Sequence, residues 1–293
     1  MAQMIEETNR PLPPLLIVGD GKLAYSVVGN ALRAGHETTL LTSDADAAYR
    51  AVAQAIPERM KKLILWEDWP VALPHEWVVA VTEECSDIKQ RLIRRLEDCV
   101  SDHAIIAINM EGIPLEELQA SGRHPERILG LNWCYPADLT FFLEIICNEE
   151  TDPEHVRTLE AMAKTAWEKD PYTVKSGFSV RARMMAAWAR EAFFLVENNY
   201  ASMESIDRAC RNDAGYYLPF AGNFRYMDLM GTYAYGVVMK DLNPELSKAT
   251  VLPASVVDDF PDYGVDHPEH WEKIVRKFSE EIRELILKYP HET

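Results

Sequence analysis

Two polar residues stand out within residues 128–146, ILGLNWCYPADLTFFLEII, each beside an apolar run. Asn132 closes the apolar run Ile128 to Leu131, and Glu144 sits alone within FFLEII. A carboxylate among branched and aromatic neighbours orients or charges a partner group. An amide donates and accepts hydrogen bonds but cannot take up a proton as a general base. A second set of residues could hold a ligand. Gly19-Asp20-Gly21-Lys22-Leu23-Ala24 reads G-x-G-x-x-A. In a strand–turn–helix setting, Gly19 makes the tight turn and Gly21 lets the backbone approach a pyrophosphate. The small Ala24 lets the helix pack on the sheet, with Lys22 and Leu23 opening that helix. The same glycines also fit an ordinary βαβ turn that binds nothing.

The elements that must position these groups are legible along the chain. Leu15–Gly19 predicts a buried strand, and the stretch after Gly21 predicts a helix that stops at Gly35. ETTLLT, WVVAV, AIIAI, ILGLN and LTFFLEIIC predict further strands, and residues 46–60 and 87–99 predict helices. Strands alternating with helices imply a doubly wound parallel sheet of the Rossmann type. From Arg181 onward the pattern is helical, ending in HWEKIVRKFSEEIRELILKY. The expected organisation is a flexible tail over 1–14, a dinucleotide-binding domain over 15–177, and an all-helical substrate and dimerisation domain over 178–293. At the end of the second strand, the acid that accepts an adenosine ribose hydroxyl would fall at Thr42. Asp44 lies two residues on and is the candidate for that role. No Arg or Lys is there to meet a 2′-phosphate, which favours NAD over NADP.

Bulk properties narrow the partners. The chain has 293 residues, a formal net charge of −17 and a pI near 4.9. Such a field disfavours nucleic acid and anionic membrane surfaces. Five scattered cysteines form no zinc spacing and point to reduced thiols in a cytoplasmic protein. The N-terminal residues carry no apolar signal core, and no apolar run approaches the ~20 residues that span a bilayer. His36 sits at a helix–strand turn and reads as structural; the other histidines read as surface or loop residues. Met184 and Met185 read as core. The aromatic residues of 216–236 read as helix packing or dimer contact, and Cys134 as a small buried apolar residue.

Several segments in register resemble the L-3-hydroxyacyl-CoA dehydrogenase family. They are the glycine loop, ECSDIK (Glu84, Lys89), Asn109 after AIIAI, RHPERILGL, the 128–146 stretch, GFSVRARMM, and ASMESIDRACRNDAGYYLPFAGNFRYMDLMG with Gly222, Phe224, Asp228 and Gly231. The resemblance covers roughly residues 14–245. It implies NAD-dependent hydride transfer between nicotinamide and a 3-hydroxyacyl or 3-ketoacyl substrate, as in fatty acid metabolism, in a homodimer. It implies that Glu84, Lys89 and Asn109 contact the cofactor. In that family a His stands at the position of Asn132, and Glu144 matches the Glu that orients it. The substrate-contacting Ser falls at Glu111 and the Asn at Arg181. The helical hairpin that holds the CoA nucleotide has no room between Asp44 and WVVAV, and the closing G-x-G-F-Y element is replaced by DYGVDHPEHWEKI. Three readings of Glu111 and Arg181 stay open. They form an ion pair that closes an inert pocket; or Arg181 clamps a substrate carboxylate or phosphate while Glu111 serves as base; or the register is displaced. The substrate is accordingly an acyl-CoA or another hydroxy or keto acid, and the competing function is a non-catalytic homologue that binds NAD(H) or another ligand.

Overall fold

The computed structural model describes residues 12–231, 236, 246–249, 251, 253–257 and 268–289. Most of the expected tail, His267, His291 and much of residues 232–267 lie outside them. The chain divides into two compact units, Met1–Ala182 and Arg183–Thr293.

The first unit is built on one eight-stranded sheet. Its elements are β1 (Leu15–Gly19), α1 (Gly21–Ala34), β2 (Thr38–Leu41), α2 (Ala45–Ala55), β3 (Leu63–Trp66), β4 (Trp77–Val81) and α3 (Ser86–Cys99). They continue with β5 (Ile105–Ile108), α4 (Leu115–Gln119), β6 (Ile128–Trp133), β7 (Phe142–Ile146), α5 (Pro153–Thr165) and β8 (Asp170–Val174). The sheet order is β3-β2-β1-β4-β5-β6-β7-β8, parallel except between β6 and β7. Strands β1, β2, β4, β5 and β6 are buried along their whole length. Continuous apolar runs are what two helix-covered faces demand. One face buries Ile17, Val27, Leu32, Val79, Leu129 and Trp167; the other buries Leu16, Ile93, Leu96, Ile106 and Leu118.

Gly35 ends α1 in the left-handed region at φ 106°, its N–H bonded to Ala31 and Leu32. The helix expected over 46–60 stops earlier, at Ala55, because Pro57 restarts the chain as a 3₁₀ turn over Pro57–Lys62. Two strands go beyond the sequence reading. β3 extends the β2 edge, and β8 extends the β7 edge.

The second unit contains most of α6 (Val180–Glu197), then α7 (Met203–Ala209), a π-helical turn at Cys210–Ala214, α8 (Gly215–Met230), the short α9 (Ala254–Val257) and α10 (Pro268–Lys288). Gly222, at φ 63° and ψ −170°, breaks α8 into two helical pieces. The expectation that Met184 and Met185 are core is corrected: both are more than half exposed, as are Tyr216 and Phe224. None of the α6 residues is buried.

Candidate functional site

In a doubly wound sheet, ligands meet the carboxyl ends of the strands, and the singled-out residues of the first unit gather there. Gly19 ends β1 at φ 151°, and a Cβ on it would lie 2.0 Å from the Val81 carbonyl oxygen of β4. Only glycine fits that approach. Gly21, at φ 82°, has nothing within 4 Å of where its Cβ would be. No side chain caps the N-terminus of α1, and its first turn holds no acid. Exposed amides beside a Cβ-free backbone form the setting that a pyrophosphate needs, so these residues fit a dinucleotide. Lys22 is exposed, Leu23 packs partly against the core, and Ala24 is fully buried against the sheet.

Asp20 reaches across to the end of β2. Its Oδ1 accepts the Thr42 hydroxyl at 2.5 Å and the Ser43 N–H at 2.8 Å. Burial pushes the Asp20 carboxyl up, but these bonds outweigh it and hold the group below the usual carboxylate range. Asp44, the candidate ribose acid, caps α2 by accepting the Ala47 N–H at 2.8 Å.

Two side-chain amides lace the strand ends together. Asn109 Oδ1 accepts the Thr82 N–H and its Nδ2 donates to the Thr82 carbonyl, both at 2.8 Å. This joins the ends of β4 and β5. Asn132 repeats the device one strand further: Oδ1 accepts the Met110 N–H at 2.8 Å and Nδ2 donates to the Met110 carbonyl at 2.7 Å. The Lys89 ammonium, on α3, lies beneath the first bridge. It donates to Asn109 O at 2.7 Å and Oδ1 at 3.0 Å, and to the Thr82 hydroxyl at 3.2 Å, and pairs with Glu84 at 3.5 Å. Burial lowers the Lys89 pKa, and Glu84 opposes that shift. Glu84 Oε1 accepts three successive backbone N–H groups, of Glu111, Gly112 and Ile113, at 2.8 to 3.0 Å. Burial raises the Glu84 pKa, but those donors and Lys89 prevail and hold the carboxyl low. The three residues expected at the cofactor thus also shape the loop that carries Glu111.

The antiparallel pairing of β6 and β7 places Asn132 opposite Glu144, and the β7–β8 pairing places Tyr172 beside Glu144. Glu144 is fully buried. Its Oε2 accepts Asn132 Nδ2 at 2.9 Å and the Ser179 hydroxyl at 2.6 Å. Its Oε1 accepts the Tyr172 hydroxyl at 3.1 Å and the N–H groups of Val180 and Arg181 at 2.9 and 3.0 Å. The carboxylate therefore neutralises the start of α6, where orphan N–H groups collect. Burial and the adjacent Glu144 charge raise the Tyr172 pKa. Ser179 and Tyr172 went unnoticed in the sequence. Ser179 lies two residues before Arg181, a hydroxyl just ahead of a helical run, which is a capping signal; its hydroxyl accepts the Ala182 N–H at 2.9 Å. Tyr172 had no local signal.

The Arg181 guanidinium pairs with the Glu111 carboxylate and lies 5.4 Å from the centre of the Phe142 ring. Both partners keep about a third of their side-chain surface exposed. Burial raises the Glu111 pKa; Arg181 opposes the shift, while Glu84 and Glu144 add to it. Arg181 Nε is buried with no hydrogen-bond partner among the described residues. Cys134 is half-buried, and burial raises its thiol pKa.

His36 is buried, with Nδ1 2.8 Å from the Pro13 carbonyl and Nε2 accepting the Trp167 indole N–H at 3.0 Å. His75, in the loop before β4 as a surface or loop reading allows, is also buried; its Nε2 lies 3.1 Å from the Thr39 hydroxyl. Among the described residues no cluster of three or more His, Cys, Asp or Glu is arranged to hold a metal ion, and no helix is long and apolar enough to cross a membrane.

Comparison with known proteins bears on the same residues. Residues 15–177 match the model of the 3-hydroxyacyl-CoA dehydrogenase NAD binding domain, and residues 177–269 match that of the 3-hydroxyacyl-CoA dehydrogenase C-terminal domain. A 5-formyl-3-hydroxy-2-methylpyridine 4-carboxylate 5-dehydrogenase from Mesorhizobium japonicum is 31% identical over 184 residues, 62% of this chain and 59% of that protein. The 3-hydroxyadipyl-CoA dehydrogenase of Escherichia coli is 25% identical over 234 residues, 73% of this chain and 48% of that protein. The aligned chain thus spans less than two thirds of either relative. A crystal structure of a dehydrogenase of the same pyridine carboxylate, described as an NAD+ dependent dismutase, superposes with a TM-score of 0.80 at 22% identity, covering 94% of this chain and 97% of that one. A 3-hydroxyacyl-CoA dehydrogenase from Archaeoglobus fulgidus superposes with a TM-score of 0.70 at 19% identity, covering 92% and 100%.

Proposed function

This chain belongs to the 3-hydroxyacyl-CoA dehydrogenase family, its first domain being an NAD-binding domain, and we propose that it is an NAD-dependent oxidoreductase interconverting a hydroxyl and a carbonyl on a small carboxylate-bearing substrate. The observation that carries this reading is the partly exposed Glu111–Arg181 pair close to a fully engaged Asn132. Asn132 and Glu144 hold the framework. The group with the properties of an acid/base is Glu111, its pKa lifted toward working pH by burial.

When bound, NAD supplies the hydride acceptor or donor. Arg181 anchors the substrate carboxylate, for which a guanidinium fork is well shaped. A carboxylate arriving at Arg181 frees Glu111 from its partner. Glu111 then takes the alcohol O–H proton as the adjacent C–H hydride departs, and returns the proton in the reverse direction. Glu84 and the Lys89 cluster fix the loop from which Glu111 projects.

Two further points support a small substrate over an acyl-CoA. The chain between β2 and β4 holds only α2, the 3₁₀ turn and β3. The Mesorhizobium relative is named for a substrate that carries carboxylate, formyl and hydroxyl groups. In this reading residues 15–177 hold the cofactor, and residues 178–293 serve substrate binding and homodimerisation. The exposed Met184, Met185 and Trp188 on α6 favour a covering partner protomer. A second reading, an NAD(H)-binding protein without catalysis, is favoured by the complete engagement of Asn132 and Glu144.

Substitution of Arg181 separates the two. If Arg181→Ala keeps its fold and binds NADH, yet no longer turns over small keto, formyl and hydroxy carboxylates, Arg181 is the anchor. If the unmodified protein binds NADH but turns over none of these compounds, and Arg181→Ala loses only stability, the pair is a closed structural bridge and the second reading holds.

A further inference from the structure

The second strand of a dinucleotide fold usually ends in an acid that accepts the adenosine ribose hydroxyls. Here that place is Thr42, which cannot offer a charged acceptor. The structure brings a carboxylate to the same spot from another element. Asp20, between the two loop glycines, is anchored through Oδ1 to the Thr42 hydroxyl and the Ser43 N–H. Thr42 Oγ1 in turn lies 3.4 Å from the Asp44 N–H, so the three residues that follow β2 are organised around the Asp20 side chain.

The local competitors are directed elsewhere. Asp44 accepts the Ala47 N–H, and Glu67 accepts the Ala45 N–H at 3.1 Å, both at the N-terminus of α2. Asp20 itself is exposed. A carboxylate accepts about four hydrogen bonds, so two donors on one oxygen leave capacity for a ligand. Its orientation also removes a difficulty of the sequence. A carboxylate inside a phosphate-binding loop would repel the pyrophosphate, but this one is drawn toward β2, while the space over Gly21 stays open.

We infer that Asp20 receives the adenosine ribose hydroxyls of bound NAD and sets the preference for NAD over NADP. This rests on the NAD-binding reading of the domain. Two vicinal hydroxyls donate to a carboxylate held in place by Thr42 and Ser43. A 2′-phosphate at that position would set like charges together, and residues 42–49 contain no Lys or Arg to offset them. The acid has thus moved from the end of β2 to the glycine loop while serving the same ribose.

The test is direct binding to the full chain, followed by tryptophan quenching or calorimetry, with NADH, NADPH and 2′-deoxy-NADH. The unmodified protein should bind NADH at least about tenfold more tightly than NADPH. Asp20→Asn should weaken NADH by about tenfold or more, the range for a hydrogen bond to a charged acceptor, and narrow the NADH/NADPH ratio. 2′-Deoxy-NADH, which keeps only the 3′-hydroxyl, should be weakened by Asp20→Asn distinctly less than NADH is, because one of the two contacts is already gone. Asp44→Asn should leave NADH affinity unchanged. Equal weakening of NADH and 2′-deoxy-NADH by Asp20→Asn would mean that Asp20 acts only through the loop and would overturn the inference. So would an unchanged NADH affinity, or a loss confined to Asp44→Asn. Asp20→Ser repeats the comparison if Asp20→Asn melts early. If the unmodified protein binds none of the three, the NAD reading itself fails, which is a different result.

Discussion

Glu144→Gln replaces one oxygen of a fully buried carboxylate by an NH₂ group, and the structure sets the consequence. Five donors converge on the carboxylate: the Val180 and Arg181 N–H groups and the Tyr172 hydroxyl on one oxygen, Asn132 Nδ2 and the Ser179 hydroxyl on the other. If the new NH₂ takes the first position, two backbone N–H groups that cannot turn are left unpaired. If it takes the second, the Ser179 hydroxyl can rotate to accept, but Asn132 Nδ2 meets another donor. The second arrangement is cheaper. It still leaves one donor unpaired, at about 1–3 kcal/mol, and converts three charge-assisted bonds to neutral ones, at about 0.5–1 kcal/mol each. The sum is about 2.5–6 kcal/mol. Urea unfolding at neutral pH measures it, and hydrogen exchange at the Val180 and Arg181 amides shows whether the start of α6 is what loosens. A loss below about 1 kcal/mol, with both amides still protected, would refute the assignment of Glu144 to the framework.

Gly19→Ala should cost several kcal/mol and abolish NADH binding, because the new methyl would lie 2.0 Å from the Val81 carbonyl oxygen, a backbone atom that cannot give way. Thermal unfolding and a titration check both; a folded variant that binds NADH normally would contradict the loop geometry. Acid should destabilise the first unit early. Burial lowers the pKa of His36 and of His75 below the ordinary 6.5, so the unfolded chain takes up protons more readily than the folded one. Stability is therefore full above about pH 6.5 and falls as the pH drops through it, by up to about 1.4 kcal/mol per pH unit for each histidine. His36→Gln should flatten that slope, and a stability that holds or rises from pH 6.5 to 5.5 would contradict the burial argument.

How much of this was legible in the sequence depended on whether a residue's role is set by its neighbours along the chain. β1, β4 and β5 are unbroken apolar runs, and β6 is one as far as Asn132; their burial on both faces made them readable. β3 is an edge strand whose residues are only partly buried, between a charged 3₁₀ turn and an acidic loop. β8 begins Asp-Pro, which argues against a strand until the β7 edge is there to accept it. The twelve-residue spacing of Asn132 and Glu144 became a contact because β6 and β7 run antiparallel. The sequence could place Asn132 but could not show that both ends of its amide are engaged by Met110. Asp20 was visible as an awkward charge in a glycine loop; its attachment to Thr42 and Ser43, more than twenty residues away, is a tertiary fact. Met184 and Met185 were misread because an apolar residue on a helix predicts that something covers it, without saying whether that is the same chain.

The most direct test of the central claim is NADH consumption by the full chain across a panel of small keto and formyl carboxylates and acetoacetyl-CoA, followed against pH for the unmodified protein and Glu111→Gln. The account predicts that NADH binds and that a small carboxylate is reduced while acetoacetyl-CoA is not. In the oxidation direction, the rate should rise with pH through a group titrating above the usual carboxylate range. Glu111→Gln should bind NADH normally, lose most of the turnover and lose that limb of the profile. Turnover of equal size and equal pH dependence in Glu111→Gln would contradict the account, and so would NADH binding with no carboxylate reduced.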